Sequence, residues 1–265
     1  PVTEVAVLVM LVVSIVLSAH NKAATFKLMT GKTIGEVEHT LTESKHAVLY
    51  QPIYRLVFSV YANTLTAKQV DRLVATVDKV KVDSCSFRSP NIILIIGESY
   101  NRHHSSQYGY VMPTTPRQQK MEKRGRLVKY TDVVSPWNLT SFVFKHIFST
   151  YTVGDKGEWC DYPLFPAVFR KAGYHVTFIT NQFLPKAKEA VYDFSGGFFL
   201  NNPKLSAAQF DSRNTKLHEF DEDLLRDYEE LQSQNRDNNL IIFHLLGQHV
   251  QYRQRSPKDR KKFKG

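Results

Sequence analysis

Most of the chemistry-bearing residues of this chain stand just after short apolar runs in its second half or at the start of a helical repeat. Asn91-Ile92-Ile93-Leu94-Ile95-Ile96 leads directly into Gly97-Glu98-Ser99. A carboxylate in that position is a metal ligand or an acid/base group, or it caps the next helix through its charge. Thr140 and Ser141 precede a run in which Val143, Phe144, Ile147 and Phe148 repeat at helical spacing. A hydroxyl at such a helix start is an N-cap, or a nucleophile whose alkoxide is stabilised by the helix dipole and a metal. Asn181-Gln182 and Gly247-Gln248-His249 also follow apolar runs. His249 is able to move a proton or bind a phosphate oxygen, or it is a histidine hydrogen-bonded at a strand end.

These positions require a scaffold that delivers polar residues to one edge. A run such as 91–96, apolar from Ile92 to Ile96, predicts a strand buried on both faces of a parallel sheet, and Gly97 would let the chain turn sharply after it. Tyr174 to Thr180 and Asn239 to Leu245 read as two further strands. Between them, Pro163 to Ala172 reads as a helix ended by Gly173, and Glu219 to Ser233 as a charged helix with Leu224, Leu225, Tyr228 and Leu231 on one face. This alternation predicts a doubly wound α/β domain, with its chemistry beyond the carboxyl ends of the strands. Upstream, Asn21 to Ser44 reads as a loop containing Gly31 and Gly35. Tyr50 to Leu65 and Ala67 to Val80 read as two amphipathic helices, and Ser84 to Pro90 as a linker.

Val5 to Ala19 carries no charge and is almost wholly aliphatic. It is expected to be the end of a transmembrane helix, since a bilayer span needs ~20 apolar residues and this one begins almost at Pro1. The formal net charge is +10. Seven Lys or Arg and one Asp lie between Arg253 and Gly265, so the first 252 residues carry only +4. The excess belongs to a solvated tail or one that meets anionic headgroups, and no nucleic-acid motif accompanies it. Cys85 and Cys160 permit one disulfide or none, and lack the C-x-x-C spacing of zinc clusters and redox motifs.

Four stretches follow one another in a recognisable order. They are Gly97-Glu98-Ser99-Tyr100-Asn101-Arg102-His103-His104 with Tyr108-Gly109-Tyr110; Trp137-Asn138-Leu139-Thr140-Ser141; Gly173-Tyr174 with Asn181-Gln182; and His244-Leu245-Leu246-Gly247-Gln248-His249. Together they resemble the phosphoethanolamine transferases, inner-membrane members of the alkaline phosphatase and sulfatase superfamily. The branch acting on the lipopolysaccharide core heptose is the most similar, because no cysteines flank Thr140 as they do in the polymyxin-resistance branch. The resemblance implies an alkaline-phosphatase-like sheet, a zinc cofactor, phosphatidylethanolamine as donor, lipopolysaccharide as acceptor, and a catalytic domain facing the periplasm. Lys22, Lys27 and Lys32 after the apolar segment pull against that orientation by the positive-inside rule. The resemblance further implies that Glu98 is a zinc ligand and that Thr140, rather than Ser141, is the zinc-bound nucleophile. Phe148-Ser149 follows Thr140 as a Phe-Ser pair follows the family nucleophile. By the same resemblance Asn181 and Lys186 would hold the phosphoethanolamine group, and His249 would line the active site near the zinc.

The family completes its zinc site with an Asp-His pair, and no Asp-His dipeptide occurs in this sequence. Glu98 and Thr140 give two ligands where a catalytic zinc takes about three from protein. His103 and His104 are adjacent, diverge on a regular element, and are expected at the surface or behind the site. The expected organisation is therefore the end of a membrane helix over 1–20, a juxtamembrane loop and connecting helices over 21–89, and the first part of a sulfatase-like catalytic domain over 90–265. The complete protein would transfer phosphoethanolamine, while this stretch alone would bind zinc poorly and turn over nothing. The alternatives are another enzyme of the superfamily, a phosphoglycerol transferase or a sulfatase, or a non-catalytic membrane-tethered module. A sulfatase would need a C/S-x-P-x-R setting, which is absent around Thr140.

Overall fold

A computed structural model of the chain describes residues 2–43, 51–135, 137–138, 140–182, 199–232, 237–249 and 251–261. Four helices come first: α1 (Val2–Leu17), α2 (Ala19–Leu28), α3 (Ile34–Glu43) and α4 (Gln51–Lys79). Then follow β1 (Asn91–Ile96), α5 (Pro116–Lys123), α6 (Thr140–Phe148), α7 (Phe165–Lys171), β2 (His175–Thr180), α8 (Pro203–Gln209), β3 (Ser212–Arg213), α9 (Leu224–Gln232) and β4 (Asn239–His244).

The apolar runs become a parallel sheet in the order β1-β4-β2-β3. Ile96 and Thr180 both pair with His244, so the three long strands end level, and whatever follows each of them shares one edge. Side chains alternate between two helical layers, as the strand period of two requires. Val176, Phe178, Leu240 and Ile242 point into the main core with Val70, Leu73, Phe144, Phe148 and Leu164. Ile179, Ile241 and Phe243 meet Leu224 of α9 on the opposite face. This is the doubly wound α/β arrangement expected from the strand and helix alternation.

The strand expected to be buried on both faces is an edge strand. Ile92, Leu94 and Ile96 pack on the main core, whereas Ile93 and Ile95 are 56% and 62% exposed. The α9 helix covers β2 and β4 and leaves this side of β1 bare. Composition alone made the run look doubly buried, because five apolar residues in a row, Ile92 to Ile96, carry no record of which neighbours flank them.

The region before the sheet also differs from expectation. Asn21 to Ser44, read as a loop, contains α2 and α3. α2 has no apolar repeat of its own, while α3 carries a short one, Ile34, Val37 and Leu41, that the loop reading passed over; both pack against α4, with Leu28, Ile34 and Val37 buried against Tyr54, Phe58, Ala62 and Leu65. Tyr61 donates to the Gly31 carbonyl at 2.7 Å. The two predicted amphipathic helices are a single one, the 29-residue α4. Its hydroxyls at Thr64 and Thr66 bond back to the carbonyls of Val60 and Ala62, a local bond that weakens a helix slightly, and packing along both halves of α4 keeps it continuous. The first half of α4 serves the helical cluster and the second half, through Val70 and Leu73, serves the sheet. Arg72 ties α4 to Glu158 and Asp161, whose carboxylates raise its pKa.

The residues of α1 are all exposed. Among the described residues no single helix is long and apolar enough to cross a membrane; α1 and α2, bent by 40°, meet that test only as a pair. Cys85 and Cys160 are unbridged. Burial pushes the Cys160 thiol up to about 11. The charged helix expected from Glu219 begins later, at Leu224, after a single 3-10 turn over Asp221–Asp223.

Candidate active site at the carboxyl edge of the sheet

Glu98 follows β1 by two residues, and Thr140 is the first residue of α6. They are 42 positions apart in the chain, yet the Thr140 hydroxyl donates to Glu98 Oε2 at 2.9 Å. Thr140 is half-buried. The main core holds α6 in place through Phe144 and Phe148, which stack on each other with centroids 5.0 Å apart. Phe144 also meets the His244 ring at 4.6 Å. The hydroxyl at the helix start therefore faces the carboxylate. Ser141, the competing hydroxyl, is 6% exposed and belongs to the packed side of α6.

The sharp turn after β1 is made differently from the expectation. Gly97 has an ordinary backbone conformation, and Ser99 takes the left-handed one at φ 52°, a conformation uncommon for a residue with a Cβ. The glycine that matters is Gly247, at φ +57° in the turn after β4. A Cβ there would stand 2.7 Å from the Glu98 amide nitrogen and 2.8 Å from its carbonyl oxygen. The Gln248 amide donates to the Glu98 carbonyl at 3.0 Å. The turn carrying His249 is thus laid against the backbone of Glu98.

A cleft of about 360 Å³ is lined by Gly97, Glu98, Ser99, Trp137, Asn138 and Thr140, among others. A second, of about 680 Å³, shares Ser99 and is lined by Asn101, His104, Gly247, Gln248 and Arg255. A cleft of about 1130 Å³ between 113–118 and 252–261 is lined by none of the candidate residues. The candidate site lies at the 360 Å³ cleft, which is lined by both Glu98 and Thr140; the 680 Å³ cleft neighbours it through Ser99.

The other expected site residues are distributed unevenly. His249 is half-buried on the turn just described. Asn181 is 3% exposed and its amide is engaged by protein: Nδ2 donates to Asp221 at 3.0 Å, and Oδ1 accepts from the His218 amide at 2.8 Å. Lys186 lies outside the described residues. His103 and His104 are exposed, in a short 3-10 turn over Arg102–His104.

Sequence reading missed the acidic residue that joins these parts. Asp221 accepts from the amides of Leu246 at 2.8 Å and Gly247 at 2.7 Å as well as from Asn181. Its only sequence signal is a place in the acidic run Asp221-Glu222-Asp223, which reads as a helix start. Nearby, His218 pairs with the buried Asp227 at 2.9 Å, and Asn214 donates to Asp227 and to the Thr180 carbonyl. His244, fully buried at the end of β4, shares a hydrogen bond of 3.1 Å with the Thr180 hydroxyl, and burial lowers its pKa to about 4.

Glu98 and Thr140 offer two oxygen donors to a metal. Among the described residues no group of three His, Cys, Asp or Glu side chains is arranged to hold a metal ion. The pair fits part of a zinc set, two of the roughly three protein ligands a catalytic zinc takes.

Comparison with known proteins places the chain among similar sequences and folds. Phosphoethanolamine transferase EptC of Escherichia coli (strain K12) is 27% identical over 175 residues, which are 66% of this chain and 30% of that protein. Phosphoethanolamine transferase CptA of Salmonella typhimurium (strain LT2) is 27% identical over 180 residues, with the same coverage. The chain spans 30% of the length of these curated relatives. The crystal structure of the C-terminal periplasmic domain of EptC from Escherichia coli, in complex with Zn, matches with a TM-score of 0.55 at 26% identity. That match covers 66% of this chain and 48% of the other, and the fold is the alkaline-phosphatase-like one of that periplasmic domain. The sulfatase family model matches residues 90–265, which takes in the sheet, the Glu98 to Thr140 pair and the Gly247 turn, and the chain belongs to the sulfatase family.

Proposed function

We propose that this chain carries the nucleophile side of a phosphoethanolamine transferase active site, acting on phosphatidylethanolamine as donor and on the lipopolysaccharide core heptose as acceptor. The observation that carries this reading is the 2.9 Å hydrogen bond from the Thr140 hydroxyl to Glu98 at the carboxyl edge of the sheet. The likeness to EptC and CptA supports the transferred group, and the resemblance of the motifs supports the acceptor.

Thr140 Oγ1 attacks the donor phosphorus, and the bond from phosphorus to the diacylglycerol oxygen breaks. The result is a phosphoethanolamine ester on Thr140 and free diacylglycerol. A heptose hydroxyl then attacks the same phosphorus, the bond to Thr140 Oγ1 breaks, and that oxygen recovers a proton. Splitting the transfer in this way replaces one difficult displacement with two easier ones. Glu98 orients the Thr140 hydroxyl and is the acceptor its proton faces. The start of α6 adds a favourable dipole, about 0.3–1 kcal/mol toward negative charge on Oγ1. His249 hands a proton to a leaving oxygen or binds a phosphate oxygen, and Asn181 and Lys186 hold the phosphoethanolamine group. Asn181 does so only after exchanging one of its present protein partners.

Zinc is the metal this site would use, with Glu98 and Thr140 as ligands; when bound it lowers the pKa of a coordinated oxygen and relieves charge at the phosphoryl group. The presence of zinc in the matched EptC domain supports this choice. With two oxygen donors, residues 1–265 by themselves should bind zinc weakly and show no turnover. The apolar α1 and the exposed Ile53, Leu56 and Val60 of α4 support an inner-membrane anchor, and the family resemblance supports the periplasmic side for the catalytic domain.

The test is to incubate the full-length protein with phosphatidylethanolamine and search its Thr140 peptide by mass spectrometry for a phosphoethanolamine adduct. The adduct should be present in the parent and absent in Thr140→Ala. An adduct on Ser141, or transfer surviving Thr140→Ala, would overturn the assignment. The second reading, a membrane-tethered module of the same fold without catalysis, is favoured by the lack of a three-ligand cluster among the described residues. A full-length protein without zinc and without adduct would establish it.

A further inference from the structure

We infer that Asp221 is a positioning residue that sets the location of Glu98 through the turn after β4. This rests on the reading of Glu98 as a member of the reacting pair. The chain of contacts is short. Asp221 Oδ1 accepts from the Leu246 amide at 2.8 Å and from Asn181 Nδ2 at 3.0 Å, and Oδ2 accepts from the Gly247 amide at 2.7 Å. Both carboxylate oxygens are thereby committed to elements other than the one Asp221 starts. Beyond this clamp, Gly247 lies against the backbone of Glu98 with no room for a Cβ. The Gln248 amide donates to the Glu98 carbonyl at 3.0 Å, and the Leu245 amide to the Ile96 carbonyl at 2.9 Å.

Asp221 is itself fixed from behind. Asn181 holds it by one end of its amide and the His218 backbone by the other, and the Asn181 amide nitrogen donates to the His244 carbonyl at 2.9 Å. His218 is held by Asp227. The order of constraint runs from α9 and the end of β2, through Asp221, to the Gly247 turn, to Glu98, and finally to Thr140. A residue that only capped its own helix would bond to the amides one turn ahead of it, whereas Asp221 reaches across to β4.

The chemistry at 221 needs two acceptors. In Asp221→Asn one oxygen becomes an NH₂ group that faces a donor, so either Gly247 or the Leu246 and Asn181 pair loses its partner. Hydrogen exchange on the full chain, read with and without this substitution, reports the clamp directly and needs neither metal nor activity. The amides of Leu246, Gly247 and Gln248 should exchange about tenfold faster or more, the size expected for loss of a hydrogen bond to a charged group, while Ile241 to Phe243 remain protected. In the full-length protein, kcat for transfer should fall by roughly 10- to 100-fold, as for a misplaced catalytic group, with KM for the donor little changed. Asp221→Glu, which keeps both acceptors, should recover part of the protection and part of the rate.

Unchanged exchange at 246–248 would overturn the proposal whatever the activity. So would a uniform rise across the sheet, or faster local exchange accompanied by transfer at the parental rate. A parent protein that transfers nothing defeats the functional reading above; the clamp on the Glu98 backbone is then decided by exchange alone.

Discussion

Gly247 lies so close to Glu98 that a methyl group on its Cα would meet both the amide nitrogen and the carbonyl oxygen of Glu98 at under 3 Å. The contact joins the ends of the edge strand β1 and its neighbour β4. Backbone cannot move aside as a flexible side chain can, and Gly247 also sits at φ +57°. Gly247→Ala should therefore destabilise the protein by about 1–3 kcal/mol from overpacking, with a further cost of roughly 1 kcal/mol from the left-handed conformation. Urea denaturation would measure it, and Gly97→Ala, where nothing lies within 4 Å, should cost much less.

Removing the charge of Glu98 tests its role without disturbing its shape. Glu98→Gln keeps an oxygen or an NH₂ group beside Thr140, and exchanges a strong acceptor for a weak one. Transfer by the full-length protein should drop by roughly 100-fold or more, in the range for loss of a positioned acid/base group. Stability should change by no more than about 1–2 kcal/mol, since the Gln amide oxygen still accepts from the Thr140 hydroxyl. A variant with parental activity would remove Glu98 from the reaction.

His244 makes stability depend on pH in a stated direction. Its folded pKa is lowered to about 4 by burial, below the unfolded value of roughly 6.5. Between these values the unfolded chain binds a proton that the folded one refuses, so stability is full above about pH 6.5 and is lost as pH falls toward 4. The loss should reach about 3 kcal/mol. Denaturation curves at pH 7 and pH 4.5 would show it, and His244→Gln should reduce the difference.

The bare side of β1 separates two apolar positions that look alike in sequence. Phe178 is fully buried between the sheet and Phe148, Phe210 and His244. Phe178→Ala should cost about 3–5 kcal/mol. Ile95→Ala, at 62% exposure, should cost under about 1 kcal/mol. Comparable losses in denaturant would mean that the exposed face of β1 is covered in solution.

On α4, Ile53, Leu56 and Val60 are 51%, 64% and 61% exposed, on the side away from the buried Tyr54, Phe58 and Ala62. The proposed membrane association implies that this stripe adds to lipid binding. Replacing Leu56 and Val60 with Ser should weaken co-sedimentation with anionic vesicles without changing helix content by circular dichroism. Equal sedimentation of parent and variant would assign the attachment to other residues.

Much of the scaffold was legible because it rests on local periodicity. The strands over 91–96, 175–180 and 239–244 were visible as short apolar runs, and the helix ended by Gly173 as a pattern with a stop. Elements held by partners were not. The helix α2, without an apolar repeat, is held by its contacts with α3 and α4, the repeat of α3 spans only Ile34, Val37 and Leu41, and α4 is met along its successive halves by two packing clusters.

The candidate site divides in the same way. Residue type and position at the end of a strand and the start of a helix, which are local properties, marked Glu98 and the pair Thr140 and Ser141 as candidates, and the family resemblance chose Thr140 between the two. Their approach to 2.9 Å was decided by the packing of Phe144 and Phe148 of α6 against the sheet. Gly97 was the glycine that sequence favoured for the turn, yet the fold uses Ser99 and Gly247, because the closest approach is between two chain segments almost 150 residues apart. Asp221 has the same origin: in sequence it is one acid among three at the start of a helix, and only the sheet order brings Leu246 and Gly247 to its carboxylate. Amino-acid types and their spacing determined which groups the chain has and which edge of the sheet receives them. Tertiary structure decided which of them touch, because hydrogen bonds and close packing act over a few ångströms between segments whose separation along the chain carries no distance information.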